Sequence, residues 1–149
     1  MNALDFLSQA YRADQQIQSK VQQIDRLRAT AGDIRMVYEN GRVQSSNVTS
    51  RVEAAVMRII EEEENINAEI DHLVDVKLQI RVVINQVEDV TLRLILEKRY
   101  LLFEQWSEIG NDLFMSPRWA QEKHKDALLA VQEILDRIVT DIDMTDPLH

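Results

Sequence analysis

The sequence predicts an all-α protein: a long N-terminal helical hairpin or coiled coil, followed by a compact pair of shorter helices. Three observations carry that prediction. Three Gly and two Pro in 149 residues leave few places to break a helix. Aromatic residues are 5% of the chain while Leu, Ile, Val, Glu, Gln and Arg dominate, the composition of long helices. Apolar residues also recur at steps of three, four or seven over most of the length.

The first element starts near Asn2. Phe6, Ala10, Ala13, Ile17, Val21, Ile24 and Leu27 form one apolar stripe, which predicts a helix to Arg28 or a little beyond. Gly32 is expected to end it. The stretch "ENGRVQSSNVTS", Glu39 to Ser50, combines the turn dipeptide Asn40-Gly41 with a Ser/Asn/Thr cluster, so a loop is expected near 32–49.

A second helix is expected at "SRVE", Ser50 to Glu53, which has the form of a capping box. From there Val52, Ile59, Ile66, Leu73, Ile80, Val87 and Leu94 repeat every seventh residue. The alternate register, Val56, Glu63, Ile70, Lys77, Ile84 and Thr91, is apolar in half its places. A heptad this long predicts a helix packed along its length on another helix, and the polar positions argue against an all-apolar zipper. At 1.5 Å per residue such a helix of ~45 residues is ~65 Å long. The first helix covers little more than half of that, and the uncovered stripe predicts self-association, as a homodimer, or another partner. Asp89 is a candidate N-cap for a restart at "LRLILEKRYLLF", although the heptad runs through to Leu94 and an unbroken helix fits almost as well. Past Ile138, "VTDIDMTDPLH" reads as an acidic, fraying tail. The resulting division is 1–90 for oligomerisation, 91–140 for a second region and 141–149 for the tail.

Cysteine is absent, which excludes a disulfide framework, a thiolate nucleophile and a Cys-based zinc site. No basic leader with a long apolar core opens the chain, and no apolar run approaches the ~18 residues of a membrane span, so no membrane partner is expected. Net charge is −9, which by itself opposes a nucleic-acid partner. Its distribution does not. Residues 1–90 hold 10 Lys/Arg against 15 Asp/Glu and residues 131–149 hold 1 against 5, whereas residues 91–130 hold 6 of each. Within that neutral block "RWAQEKHK", Arg118 to Lys125, has three bases to one acid.

Two short helical patterns follow Phe103. The first, about Gln105 to Leu113, places Trp106, Ile109 and Leu113 on one face. The second opens with Ser116 as N-cap and Pro117 at the first helical position: the hydroxyl satisfies an orphan N–H, and proline has none to lose. It continues through Ala120, Ala127, Leu128, Val131, Ile134, Leu135 and Ile138. Two helices, a short turn at Phe114-Met115 and a basic start to the second predict a helix-turn-helix, whose second helix is built to enter the major groove of DNA.

Here the chain resembles phage-encoded late-transcription regulators of the ArpU type, whose C-terminal half looks like region four of bacterial sigma factors. The matching residues are Arg99-Tyr100-Leu101, Trp106-Ser107-Glu108-Ile109-Gly110, Ser116, and His124-Lys125-Asp126-Ala127-Leu128. The family's N-terminal helix, polar loop and heptad helix extend the likeness over most of the chain, with the last third the specific part. The resemblance implies a transcriptional regulator binding double-stranded promoter DNA of phage or prophage late genes. A homodimer is expected from the uncovered stripe, a location in the cytoplasm of a bacterial host is expected by default, no cofactor is expected, and RNA polymerase is a candidate further partner because sigma region four also binds it.

The resemblance also implies a base-reading face of Arg118, Gln121 and Glu122, with Lys125 one turn on. Arg118 suits guanine, Gln121 adenine and Glu122 the cytosine amine. Lys123 and Lys125 suit phosphates, the helix start at Ser116 adds a backbone N–H to a phosphate, and Arg93, Lys98 and Arg99 are candidates for the flanking backbone. Trp119 either packs on the preceding helix or meets the DNA backbone; Trp106 is expected in the core, and His124 at the structural back of the helix. Three positions depart from the family. Phe114 stands where a small residue, often Gly, is usual, so a positive φ there is costly and a reshaped turn is expected. Lys123 occupies an often apolar position, so that part of the helix either packs differently or reaches phosphate. Gly110 replaces a common Ala, both being small enough for close packing.

Rival readings are a small terminase subunit and a coiled-coil adaptor that binds protein. Glu69-x-x-His72 has di-iron spacing but lacks a second such pair, and reads as surface. No nucleophile has a recognisable base partner, so no enzyme is expected.

Overall fold

The computed structural model describes residues 1–39 and 46–145. Among them the protein is all-α, with no strand: α1 Ala3–Glu39, α2 Ser46–Asn85, α3 Val90–Leu96 running into a π-helical turn at Glu97–Leu101, α4 Trp106–Asp112 and α5 Pro117–Thr145. No helix among the described residues is long and apolar enough to cross a membrane. Two compact units form, one from Gln15–Val74 and one from Met1–Asp14 with Asp75–His149. The division is thus not near residue 90, because the start of α1 and the end of α2 pack with the C-terminal helices.

In the Gln15–Val74 unit α1 and α2 run antiparallel. Lys20 is paired with Glu69, and the later Arg28 with the earlier Glu63 at 2.6 Å. Ile24 and Ile66 are buried, with Val52, Val56, Ile59, Ile70 and Leu73 half-buried along the expected seam of α2. Glu63, the acid that interrupted the heptad, is answered by an arginine. Glu69 is spoken for by Lys20, and the surface reading of Glu69 and His72 agrees with their exposure.

Two boundaries differ from the sequence reading. Helix α1 passes through Gly32 to Glu39. Gly32 is exposed with nothing near its absent Cβ, and one such glycine costs about 1 kcal/mol relative to alanine, too little to stop a helix that still has Ala31 and Ile34 on its half-buried face. Helix α2 begins at Ser46, so Ser50 and Glu53 lie inside it and cap nothing. A serine in a helix interior costs less than about 0.7 kcal/mol, so a cap-like pattern does not by itself start a helix. Of the loop expected near 32–49, residues 40–45 lie outside the described ones, and the remainder is helical. With 37 residues in α1 against 40 in α2, the uncovered seam shrinks. Val52 and Val56 share a cleft with Arg35, Tyr38 and Glu39, so self-association no longer follows from a bare stripe.

The other unit carries the main core. Ala3, Leu7 and Ala10 of α1 meet Ile80, Ile84 and Val87 of α2, Leu96 and Tyr100, and Ala127, Val131 and Ile134 of α5. Leu7 is fully buried, whereas Phe6, which the stripe counted instead, is only partly so. The Ala3 N–H donates to Gln132 Oε1 at 2.8 Å, tying α1 to α5, and Lys77 pairs with Asp14 at 2.8 Å. Between α2 and α3 the chain does break. Asp89 caps α3 by accepting from the Leu92 N–H at 3.0 Å, and Arg93 Nη1 donates across the break to the Val87 carbonyl at 3.0 Å. Helix α5 continues past Ile138 to Thr145, so the segment read as a fraying tail is helical as far as that residue. Residues 146–149 lie outside the described ones.

Candidate nucleic-acid interface

The connection between α4 and α5 is built from its backbone. At the end of α4 the Leu113 N–H donates to the Ile109 carbonyl at 3.0 Å, and the Met115 N–H to the Gly110 carbonyl at 2.9 Å. Phe114 between them has φ 57°, the left-handed conformation of a Schellman-type helix end. The turn is therefore not reshaped around Phe114; the residue takes the positive φ, at a cost of about 1–2 kcal/mol for a non-glycine. Met115 then packs with Trp106 and Leu113 against buried Ile95, Ile109 and Ala120. Gly110 is the device that lets the turn fold over α4. A Cβ there would lie 2.6 Å from the Met115 carbonyl oxygen and 3.2 Å from the Pro117 nitrogen. Alanine does not fit, which corrects the reading that Gly and Ala are interchangeable here. Ser116 then caps α5: its Oγ accepts from the Trp119 N–H at 3.0 Å, and its carbonyl from the Ala120 N–H at 3.0 Å.

The inward face of α5 is set by Ala120, Ala127, Val131 and Ile134, all buried, and by His124. His124 Nε2 lies 2.6 Å from the Tyr100 hydroxyl, and its ring meets Trp106 edge-on with centroids 4.9 Å apart. Tyr100 comes from the π-helical turn. Burial, and then the Arg99 guanidinium, hold the His124 pKa down to about 4, so the ring is neutral near pH 7. Burial likewise raises the Tyr100 pKa. Both expectations for the anchoring residues agree with this packing: His124 is structural, and Trp106 lies against the smaller core.

The predicted site residues separate into three groups. Arg118 and Gln121 are exposed and have no hydrogen-bond or ion-pair partner among the described residues. Glu122 and Lys125 are exposed but lie 3.4 Å apart as an i,i+3 ion pair. Lys123 is half-buried with its ammonium 5.2 Å from the centroid of the Trp119 ring, and Trp119 is 53% exposed. Trp119 is thus a perch for Lys123, not a residue sunk into the preceding helix.

The three cations read as candidates for the flanking DNA backbone are each engaged within the fold. Lys98 bonds Asp112 at 3.0 Å and lies 3.8 Å from Glu104, and the bond to Asp112 raises its pKa. Arg99 donates to the Glu104 carbonyl at 2.9 Å with its guanidinium carbon 4.7 Å from the Trp106 ring centroid. Arg93 holds the Val87 carbonyl. Each closes a loop of the fold, because a basic side chain beside unpaired carbonyls and acids finds them before it finds a ligand. Sequence reasoning also passed over the Tyr100–His124 bond, for which 24-residue spacing leaves no local signal, and the exposure of Phe114.

The chain matches no family model, no curated protein and no solved structure.

Proposed function

We propose that the chain is a sequence-specific DNA-binding regulator of phage or prophage transcription, acting on promoter DNA as a homodimer through the first turns of α5, with α4 and α5 as a sigma-region-four-like helix-turn-helix. The observation that carries this reading is the outward placement of Arg118 and Gln121 on a helix anchored from behind by Ala120 and His124. Arg118 pairs bidentately with guanine and Gln121 with adenine. The Glu122–Lys125 pair opens on binding, Glu122 to a cytosine amine and Lys125 to a phosphate. Exposed Leu129 and Val139 on α5 supply apolar surface for self-association.

A net charge of −9 opposes DNA at long range, so binding rests on few, close phosphate contacts. Selection of bound sites from a random duplex pool, followed by an anisotropy titration over salt, tests the reading. The expected result is one enriched motif and a log–log salt slope near −0.9 for each of about two or three phosphates. No enrichment, and no binding in dilute buffer, would end it.

A second reading is a protein-binding adaptor that touches RNA polymerase. It is favoured by a cleft of about 470 Å³ lined by Lys77, Leu78, Arg81, Asn85, Glu97, Leu101 and Leu102, with Leu78 and Leu102 exposed. Capture of polymerase by protein that ignores duplex would favour it. A ring of many subunits in solution would instead favour a small terminase subunit.

A further inference from the structure

Two phenylalanines, Phe103 and Phe114, sit at φ 57°, in the conformation that favours glycine. Each follows a helix and lets the next amide turn back onto it, Glu104 N–H to the Lys98 carbonyl and Met115 N–H to the Gly110 carbonyl, both at 2.9 Å. Their side chains have opposite surroundings. The Phe103 ring is half-buried, edge-on to Tyr11 at 5.5 Å between centroids, with the Lys77 ammonium 5.9 Å from its own centroid. Packing inside the fold offsets that strained backbone. Phe114 is 98% exposed. Glycine would close α4 with less strain and without an apolar ring in water, so neither the turn nor the core accounts for a phenylalanine.

We infer that Phe114 is a contact residue for duplex DNA, packing its ring on a thymine methyl and the adjoining sugar where α5 enters the groove. This rests on the DNA-binding reading of α5 and adds a residue to it. Phe114 lies two residues before the cap Ser116 and four before the unpaired Arg118. The half-exposed Trp119, with Lys123 over its ring, stands on the same first turn. Apolar contact with the thymine methyl, from side chains that include phenylalanine, is among the ways a major groove is read. Three bases to one acid over Arg118–Lys125 match an anionic partner better than an apolar protein surface.

The test compares the parent chain with Phe114→Gly, Phe114→Tyr and Arg118→Ala, by thermal unfolding and by titration of the duplex selected from the random pool. Phe114→Gly should melt a few degrees higher, since it relieves the strained φ, yet bind about tenfold more weakly, the order expected when a half-buried phenyl is lost from an interface. Phe114→Tyr should keep the parent's affinity. If Phe114→Gly binds as tightly as the parent while Arg118→Ala is weakened, the ring is no DNA contact and the DNA reading survives alone. Unchanged affinity with a lost dimer assigns the ring to self-association and overturns the inference, as does a lower melting temperature, which would make the ring part of the fold. A parent that binds no duplex removes both readings together.

Discussion

The Tyr100 hydroxyl lies 2.6 Å from Nε2 of His124, and this bond ties the π-helical turn to the N-terminal third of α5. It fixes the rotation of α5 about its own axis, and with it which side chains look outward. A π-turn inserts one extra residue into a helix and re-aims the side chains beyond it, and here it carries Tyr100 to the histidine.

Burial of the His124 ring, and then the Arg99 guanidinium beside it, make stability depend on pH. The unfolded histidine titrates near 6.5 and the folded one near 4, so between those values the unfolded chain holds more protons. The contribution of His124 is complete above about pH 6.5 and is lost as pH falls toward 4. His124→Gln, which cannot titrate, should show a shallower fall in melting temperature over that window by circular dichroism. Equal slopes in the two proteins would show that the ring is not held neutral by the fold.

Gly110→Ala should destabilise the unit by about 1–3 kcal/mol, the usual cost of forcing a methyl into a packed site. The new Cβ meets backbone, the Met115 carbonyl oxygen at 2.6 Å, which cannot swing away as a side chain would. The gain in helix propensity, about 1 kcal/mol, works against this and sets the lower end. A melting temperature equal to or above the parent's would refute the steric account.

Arg118→Ala should leave unfolding unchanged, since the residue is exposed and unpaired, while costing about 1–3 kcal/mol on the selected duplex and relaxing preference at one base pair. Lys125→Ala should instead weaken all duplexes alike and reduce the salt slope by about one. Repeating the site selection with each variant separates the two effects.

Glu63→Leu should raise the melting temperature by a few degrees. The Arg28–Glu63 pair at 2.6 Å has an exposed arginine, and such surface pairs contribute about 0–1 kcal/mol. A leucine on the half-buried seam adds apolar burial of about 1–2 kcal/mol. The same change removes the charge that matches α2 to α1, so light scattering should detect more self-association. A lower melting temperature would mean that the ion pair does more than set register.

How much of the site could be read from residues alone differs from one to the next. Ser116 and Pro117 announced the start of α5 because a cap is a local bond, made within three residues. Asp89 worked the same way. Ser50 and Glu53 misled for the converse reason: a local pattern that can start a helix does so only where the chain before it is not already helical. Gly32 misled because one exposed glycine costs less than the turns beyond it contribute. Arg93, Lys98 and Arg99 were candidates for the flanking DNA backbone, and nothing in their spacing reveals the carbonyls and acids that the fold brings beside them.

The all-helical class, the heptad seam of α2 and the inward face of α5 were settled by periodicity and composition, because helix formation and amphipathic burial depend on neighbours three to seven residues away. The partners of the seam's polar residues, the obligatory Gly110, the neutral His124 and the bare ring of Phe114 were decided only when distant segments packed. Each depends on the groups that stand a few ångströms away in space but far away in the chain, and periodicity carries no record of them.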